Sequence, residues 1–349
     1  MTDAQKNVWA GAIPLQIELH EFDVTTSPPP PPVLVLAPRM GYLPLLISII
    51  KPHFSSTLPP GEDTIWFEYK GLPLKWYIPT GVLFDLLCVE PKRPWNLTVN
   101  FRRYPKNILL PCESEDTVKW SFINSLKEAA YIITGNCKNV MNMSQTDQAE
   151  LWQSVLKSNL DAFQRVSSKL KLGTFEDEFV VHIDSNTKKL QQSSGETDVA
   201  AQMKIARIPV RLYVWTVSED FDDFEDAPPT PIDSWDKVSN INRPVEVHKE
   251  EGKYFSLRDA IESLLPEFFG ERNLSDERDP STKQSAEEGG ENPCDPVSLC
   301  SQLKNAEIKF VRIQGIEPKL EIPFSWVARN LINPEHFLHT CVCLKVIQA

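Results

Sequence analysis

The chain has 349 residues, of which 41% are hydrophobic and 24% are charged, and its formal net charge is −12. These values are typical of a globular protein with two or three domains, and they argue against nucleic acid as a partner because phosphate binding requires clustered Lys and Arg. The seven cysteines are scattered, without a CxxC motif or zinc-ligand spacing, which is typical of reduced cytosolic thiols.

Motif searches find none of the common enzyme signatures and predict no cofactor and no metal. The sequence contains no GxSxG, P-loop, HExxH or GxGxxG motif. The N-terminal stretch MTDAQKNVWAGAIP lacks the pattern of a signal peptide, and the longest apolar run, YLPLLISII, is too short to span a bilayer. We therefore expect a cytoplasmic protein without an active site of its own.

The first third of the chain predicts a sheet crossed by a helix. Gly71 marks a turn between two short strands, and Pro79 opens a short helix because proline is tolerated in the first turn. The proline run at 25–32 predicts an extended loop. The other predicted elements are strands at 13–20, 33–38 and 95–101 and a helix at 42–54.

The middle of the chain predicts a helical domain. Apolar residues recur at helical spacing over 114–134 and again over 147–170. Ser144 and Asp147 predict a capping box at the start of the second helix.

A late segment repeats the pattern of the first sheet. The stretches EYKGLPLKWYIPTGVLFDLL and RIQGIEPKLEIPFSWVARNL, at 68–87 and 312–331, both place a Gly eight residues before a Pro. The pattern around them also agrees, so we interpret the two regions as one α+β module used twice. The remaining elements of the second copy are strands at 206–215, 245–248 and 337–346 and a helix at 256–269.

Composition divides the chain into four parts. We assign 1–112 to an N-terminal segment and the first module, 113–175 to the helix-rich domain, 176–204 to a flexible linker and 205–349 to the second module. Within the last part, the stretch near 270–298 is rich in Ser, Gly, Glu and Lys and predicts a disordered insertion.

Lys127 is the residue whose position raises a chemical question. On the predicted helix it shares a stripe with Trp120, Ile123 and Ala130. Spacing alone favours a lysine whose aliphatic stem borders the core while its ammonium reaches solvent. The alternative is that Lys127 is an acceptor amine. Partial desolvation would lower the pKa of such an amine and so increase the neutral fraction that attacks an ester.

The motifs, taken in order, resemble the autophagy protein 5 family. They are IWFEYKGLPLKWYIPTGVLFDLL, PWNLTVNF, FINSLKEA, GIEPKLEIP and EHFLH, and the match covers nearly the whole ordered chain. The resemblance implies an α+β fold with two ubiquitin-like (β-grasp) domains flanking a helix-rich domain. It also implies that one lysine, Lys127 by its position within SLKEA, receives the C-terminal glycine of the ubiquitin-like autophagy protein 12 through an isopeptide bond.

The same resemblance implies the other partners. E1-like and E2-like enzymes supply the activation chemistry, and the conjugate binds an amphipathic helix of autophagy protein 16. The conjugate then acts like an E3, promoting transfer of autophagy protein 8 to phosphatidylethanolamine at the autophagosome precursor membrane.

Arg39 in LAPRMGYL and Gly81 in IPTGVLFDLL match family positions associated with the surface that binds the partner helix. Gly81 would let a helix backbone approach closely, and Arg39 could pair with acidic side chains on that helix. From the residues alone, Gly81 equally fits a position that relieves crowding at a helix start, and Arg39 fits a solvated side chain.

Two rival hypotheses and a membrane contact stay open. A transferase could carry a ubiquitin-like protein as a thioester on Cys137, although Lys138 is the one cation beside it. A tandem ubiquitin-like adaptor would bind its partners without any covalent link.

Peripheral membrane contact would use a local basic patch formed by Lys92, Arg93, Arg102, Arg103 and Lys106. The same residues equally fit a solvated edge.

Overall fold

The structure, a computed structural model, describes residues 2–172, 206–218, 231–247, 254–269 and 306–346. The predicted linker and the predicted insertion near 270–298 lie outside the described residues. In chain order the elements are α1 (Asp3–Trp9), β1 (Ala12–Leu19), β2 (Val33–Pro38), α2 (Ile47–Phe54), β3 (Trp66–Tyr69), β4 (Leu72–Pro73), α3 (Thr80–Leu87), β5 (Trp95–Asn100), α4 (Glu115–Thr134), α5 (Lys138–Met141), α6 (Gln145–Leu156), α7 (Leu160–Leu170), β6 (Ala206–Ser218), β7 (Ser239–Val247), α8 (Leu257–Leu264), α9 (Pro266–Phe269), β8 (Ala306–Arg312), α10 (Phe324–Leu331) and β9 (Leu338–Val346).

Two sheets share one topology, which confirms the prediction of a module used twice. The first sheet has the strand order β2-β1-β5-β3-β4, and the second has the order β7-β6-β9-β8. In each sheet the first strand of the module lies between the second and the last, antiparallel to the second strand and parallel to the last. The α+β class, with two β-grasp domains and helices between them in the chain, is therefore correct.

The two glycine turns are equivalent in backbone conformation as well as in sequence. Lys70 and Gly71 have φ values of 51° and 82°, and Gln314 and Gly315 have φ values of 52° and 78°. Positive φ at both central residues is typical of a type I′ turn, which matches the twist of the strands it joins. The second of these positions favours glycine because a Cβ there is strained.

The second sheet is covered on both faces. One face packs on α8 and α10 of its own domain, while side chains of β6 and β9 on the other face join the core of the first domain. Cys341 and Cys343 lie on that second face and are buried. The two β-grasp domains therefore share a hydrophobic core, and the burial of apolar area between them stabilises their contact.

The helix-rich domain contains one more break than its periodicity predicts. The helical pattern over 147–170 is divided into α6 and α7. Ser158 adopts φ +49°, and the Asn159 side chain accepts a hydrogen bond of 3.0 Å from the backbone N–H of Ala162. Asn159 therefore starts a new helix as its N-cap, which explains why a single helix was a wrong prediction. Of the capping box predicted at Ser144 and Asp147, the N-cap half is present, because the Ser144 side chain accepts a hydrogen bond from the Asp147 N–H.

Helix α1, which the sequence reasoning missed, packs against later parts of the chain. Thr2 and Gln5 form a capping box, and the Gln5 side chain also donates a 2.9 Å hydrogen bond to the carbonyl of Arg329 in α10. At the other end of the helix, Trp9 packs on Phe163 of α7 with ring centroids 4.7 Å apart. The pattern T-x-x-Q at the start of the chain was the signal that would have predicted this helix.

Candidate functional site

Lys127 lies on α4, where the buried side of the helix meets solvent. Ile123 and Ala130, which flank it on one side, are buried, whereas Trp120 is 50% exposed. The Lys127 residue is partly exposed, and its ammonium lies 3.5 Å from Asn124 Oδ1 in a surface hydrogen bond. The predicted apolar stripe is thus interrupted at Trp120, and the amine can be reached from solvent.

Exposed residues form a row along α4 on either side of this amine. Asn124 and Trp120 precede Lys127 by one and two turns, and Tyr131 follows it by one turn. The two aromatic side chains are among the large exposed hydrophobic residues, Trp120 at 50% and Tyr131 at 64%. A protein that approaches Lys127 therefore meets apolar surface on both sides of the amine.

Contacts to the second β-grasp domain hold α4 in place next to Lys127. Glu128 accepts hydrogen bonds from Arg211 of β6 at 2.9 Å and from Asn242 of β7 at 2.5 Å. Arg211 also donates to the Ser125 hydroxyl at 3.2 Å, and its guanidinium lies 3.9 Å from the ring centroid of Phe337. The backbone that carries Lys127 is therefore tied to a sheet, which limits the positions its amine can take.

Arg39 and Gly81 contact each other in the interior of the protein. Arg39 follows β2, Gly81 lies in the first turn of α3, and both residues are buried. The Arg39 guanidinium donates to the carbonyl of Gly81 at 3.2 Å, and the Gly81 N–H donates to the carbonyl of Arg39 at 2.9 Å. A Cβ at Gly81 would lie 2.9 Å from the Arg39 carbonyl oxygen. Gly81 thus relieves crowding at the helix start, and Arg39 is not a solvated side chain.

Asp85 is the carboxylate that neutralises Arg39, and the sequence reasoning missed it. Its side chain is 3% exposed, forms an ion pair with Arg39 and accepts a 2.8 Å hydrogen bond from the backbone N–H of Gly315. Arg312 of β8 donates to the main-chain carbonyls of Asp85 and Cys88 at 3.1 and 3.0 Å. The sequence did contain a signal for this pair, namely one carboxylate in the mainly apolar helix TGVLFDLL. A carboxylate buried in such a helix needs a cationic partner.

The pKa of Asp85 reflects two opposing effects. Burial raises the pKa because it disfavours the charged form, and the neighbouring Arg39 guanidinium and the Gly315 N–H offset part of that rise. The ion pair with Arg39 is what makes a charged carboxylate tolerable at this position. Groups from both β-grasp domains therefore stabilise the charged form of Asp85.

A second buried polar group, at the start of β9, has the composition of a catalytic site without its accessibility. His339 contacts Glu335 at 2.8 Å and the Tyr213 hydroxyl at 3.0 Å, and all three residues are buried. Burial lowers the pKa of His339. For Glu335, burial is the largest single effect and raises the pKa, but the hydrogen bond and Coulombic interaction with His339, together with the charge of Arg211, hold that pKa below its usual value. A neutral imidazole bound to a carboxylate in the interior is a structural element of the fold.

Two other chemical candidates, a metal site and a cysteine nucleophile, can be checked against the described residues. No group of three or more His, Cys, Asp or Glu among them could hold a metal ion. Cys137, considered as a nucleophile, is partly exposed and its sulfur lies 3.5 Å from the Met141 sulfur. In this part of the chain, no helix combines the length and the apolar character needed to cross a membrane.

The basic patch is not uniform. Arg102 forms an ion pair with Asp63, so its charge is already partnered. Arg103 stacks on the exposed Phe22, with its guanidinium carbon 4.4 Å from the ring centroid. The exposed members of the patch are Lys92, Arg93, Arg103 and Lys106.

Sequence profiles of one family match three successive parts of the chain. They are described as "Autophagy protein ATG5, UblA domain" over residues 8–101, "Autophagy protein ATG5, alpha-helical bundle region" over 115–173 and "Autophagy protein ATG5, UblB domain" over 207–342. These three parts correspond to the first β-grasp domain, the helix-rich domain and the second β-grasp domain. Together they account for most of the chain.

Individual proteins agree with the profiles. Autophagy protein 5 of Arabidopsis thaliana is 61% identical over 346 residues, which cover 99% of this chain and 99% of that protein. Autophagy protein 5 of Oryza sativa subsp. indica is 54% identical over 358 residues, which cover 97% and 93%. The crystal structure of Kluyveromyces marxianus Atg5 has the same fold, with a TM-score of 0.62 at 20% identity, and covers 98% of this chain and 100% of that one. The chain belongs to the autophagy protein 5 family.

Proposed function

We propose that this protein is a non-catalytic scaffold of autophagy that is joined covalently, through Lys127, to the ubiquitin-like autophagy protein 12. The conjugate binds an amphipathic helix of autophagy protein 16 and acts E3-like, promoting lipidation of autophagy protein 8 during autophagosome formation. Family membership supports the role in autophagy. The surroundings of Lys127 support the finer assignment.

Conjugation requires only a positioned amine from the acceptor protein. An E1-like enzyme activates the C-terminal glycine of autophagy protein 12 with ATP, and an E2-like enzyme carries that glycine as a thioester. The neutral amine of Lys127 attacks the thioester carbonyl, the nitrogen loses a proton, and the E2 thiolate leaves as the amide forms. The chain supplies an amine in a defined position and needs no nucleophile of its own.

One observation carries the choice of Lys127. Its amine is reachable from solvent, while the next residue, Glu128, ties the helix to β6 through Arg211 at 2.9 Å. A backbone held in place beside a solvent-accessible amine reduces the entropy lost when the amine meets the thioester. The exposed side chains of Trp120 and Tyr131 provide apolar surface next to the amine.

The helix of autophagy protein 16 is assigned to a groove that the domains form jointly. Arg39 and Gly81 remain part of this proposal. Because both are buried against one another, they support the groove from within, and direct pairing of Arg39 with acidic side chains of the partner has no support. In this proposal the protein is cytoplasmic and reaches the autophagosome precursor membrane peripherally, with the exposed basic residues near Arg103 towards the lipid.

Replacing Lys127 tests the proposal. The chain is incubated with the E1-like and E2-like enzymes, autophagy protein 12 and ATP, and then run on a denaturing, reducing gel. Lys127→Arg is expected to abolish a shifted band that resists reductant, whereas the controls Lys119→Arg and Lys138→Arg keep it. A band that persists in Lys127→Arg moves the acceptor elsewhere.

The same gel distinguishes the rival chemistry. A thioester on Cys137 would disappear with reductant and would be absent from Cys137→Ser. A chain that shifts in neither condition would behave as the non-covalent adaptor.

A further inference from the structure

Four residues form a polar cluster between the two β-grasp domains, which we call the interdomain cluster: Arg39 and Asp85 from the first domain, and Arg312 and Gly315 from the second. Asp85 lies at its centre, paired with Arg39 and accepting the N–H of Gly315 at 2.8 Å. Family resemblance pointed to Arg39 and Gly81, while the contacts point to Asp85.

Arg312 extends the cluster to the end of α3. Its guanidinium donates to the carbonyls of Cys88 and Val89, both at 3.0 Å, at the C-terminal end of that helix. Terminal carbonyls of a helix lack partners within the helix and carry partial negative charge, so a cation is favourable there. The second domain thus caps a helix of the first one.

The three charged side chains of the cluster are almost fully buried, with exposures of 6% for Arg39, 3% for Asp85 and 5% for Arg312. Hydrogen bonds between buried charges are directional, and their loss leaves an uncompensated charge in the interior. The apolar contact between the domains, which includes Cys341 and Cys343, has no such directional requirement. The cluster is therefore a directional part of the interface that can set the angle between the domains.

The cluster lies beneath an exposed interdomain surface. Gly315 is exposed in the turn after β8, and the following Ile316 is 44% exposed. A Cβ at Gly315 would lie 2.8 Å from Arg39 Nη1, so this turn rests directly on the guanidinium. A change in the position of Arg39 therefore moves a surface that carries an exposed apolar side chain.

We infer that the interdomain cluster, with Asp85 at its centre, consists of positioning residues: it holds the two ubiquitin-like domains at the angle at which they accept an amphipathic helix. In this inference, which rests on the proposed function, Arg39 and Gly81 affect helix binding through domain orientation and do not touch the helix. Asp85, Arg312 and Gly315 are then as important for helix binding as Arg39.

The internal repeat supplies a matched pair of variants. Gly71 and Gly315 occupy equivalent turns with φ of 82° and 78°, but a Cβ at Gly71 meets nothing within 4 Å, whereas a Cβ at Gly315 meets the Arg39 guanidinium. Gly71→Ala and Gly315→Ala therefore introduce the same backbone strain, and the second variant alone disturbs the cluster.

Two measurements on the full chain decide the inference. The first is the Kd for a peptide with the amphipathic helix of autophagy protein 16, and the second is the relative orientation of the domains from residual dipolar couplings. Gly315→Ala is expected to weaken binding by roughly tenfold or more and to change the orientation, while Gly71→Ala changes neither. If the Gly315→Ala protein unfolds, Asp85→Asn, which keeps the side-chain shape, replaces it.

The outcomes separate the inference from the proposed function. Binding by Gly315→Ala equal to that of Gly71→Ala overturns the inference. Weakened binding with an unchanged domain angle also overturns it, because the cluster would then contact the helix directly. If the unsubstituted chain does not bind the peptide, the proposed function fails at this step. In that case, the same domain orientation in Gly71→Ala and Gly315→Ala overturns the positioning role as well.

Discussion

Glu128, the residue that follows Lys127 on α4, forms an ion pair with Arg211 of β6 at 2.9 Å. Asn242 of β7 donates to the other carboxylate oxygen at 2.5 Å. A single carboxylate thus joins the helix-rich domain to two strands of the second β-grasp domain beside the proposed acceptor amine. The position of Lys127 therefore depends on a domain more than eighty residues away in the chain.

Glu128→Ala should slow conjugation more than it destabilises the fold. The ion pair with Arg211 is partly solvent-accessible, with side-chain exposures of 45% for Glu128 and 22% for Arg211, so its loss should lower the free energy of unfolding by about 1 kcal/mol. Freed from β6, the helix should position Lys127 less well, and the initial rate of conjugation should fall by roughly threefold. Glu113→Ala, an exposed carboxylate ahead of α4, is the control for net charge. Equal rates for both variants would contradict the role of the ion pair.

Replacement of both members of the Arg39–Asp85 pair should cost less than the two single replacements added together. Either Arg39→Met or Asp85→Leu leaves one buried charge uncompensated, which costs about 3–5 kcal/mol. The double variant removes both charges and retains apolar volume. Urea unfolding of the four proteins measures the coupling, and additive losses would show that the two charges do not interact.

Gly81→Ala tests steric crowding against helix propensity. Propensity alone predicts a gain of about 1 kcal/mol for alanine in a helix. The added Cβ would lie 2.9 Å from both Cβ and the carbonyl oxygen of Arg39, so we expect a net loss of about 1–3 kcal/mol. The sign of the change in thermal stability decides between the two effects, and a stabilised variant would contradict the close contact.

His336 should make the protein less stable as the pH falls. Burial lowers the pKa of this histidine to about 4, although Glu335 raises it in part, and its Nε2 contacts the Ser167 hydroxyl at 3.1 Å. The unfolded chain, with a histidine pKa near 6.5, then binds the proton more tightly, so stability is lost from about pH 6.5 down to about pH 4. Because the residue is partly exposed, we expect a loss of about 2 kcal/mol.

The matching variant is His336→Asn, because asparagine tolerates the backbone φ of 61° at this position. Its stability in urea should depend less on pH between 7 and 4 than that of the unsubstituted chain. The exposed His53 supplies the control substitution, His53→Asn. An unchanged pH dependence in the His336 variant would assign the effect to other groups, of which His339 is the first candidate because burial also lowers its pKa.

Trp120 and Phe122 should respond differently to truncation although they are neighbours on α4. Phe122 is 1% exposed within the helical core, and Phe122→Ala should cost about 3–5 kcal/mol. Trp120 is 50% exposed, so Trp120→Ala should cost about 1 kcal/mol or less. Thermal unfolding of both variants checks the difference. A large loss of stability in Trp120→Ala would show that Trp120 is part of the buried stripe that its spacing predicts.

Much of the candidate site could not be predicted because its contacts are long-range. Lys127 was identified from the helical pattern around it and from its motif, since both are local. Its anchoring by Arg211 was not predictable, because the two residues are brought together by the packing of separate domains. The burial of Arg39 was missed for the same reason, since its partner Asp85 lies in another element.

The sequence by itself determined the elements and the repeat. Hydrophobic periodicity, turn glycines such as Gly71 and Gly315, and helix-opening prolines act within a few residues, so they predict strands, turns and helices directly. Only the tertiary structure decided which surfaces remain exposed. The second sheet packs on the first domain, which buries Cys341 and leaves Asp85 with partners from both domains. Burial and ion pairing depend on which faces meet, and no local pattern contains that information.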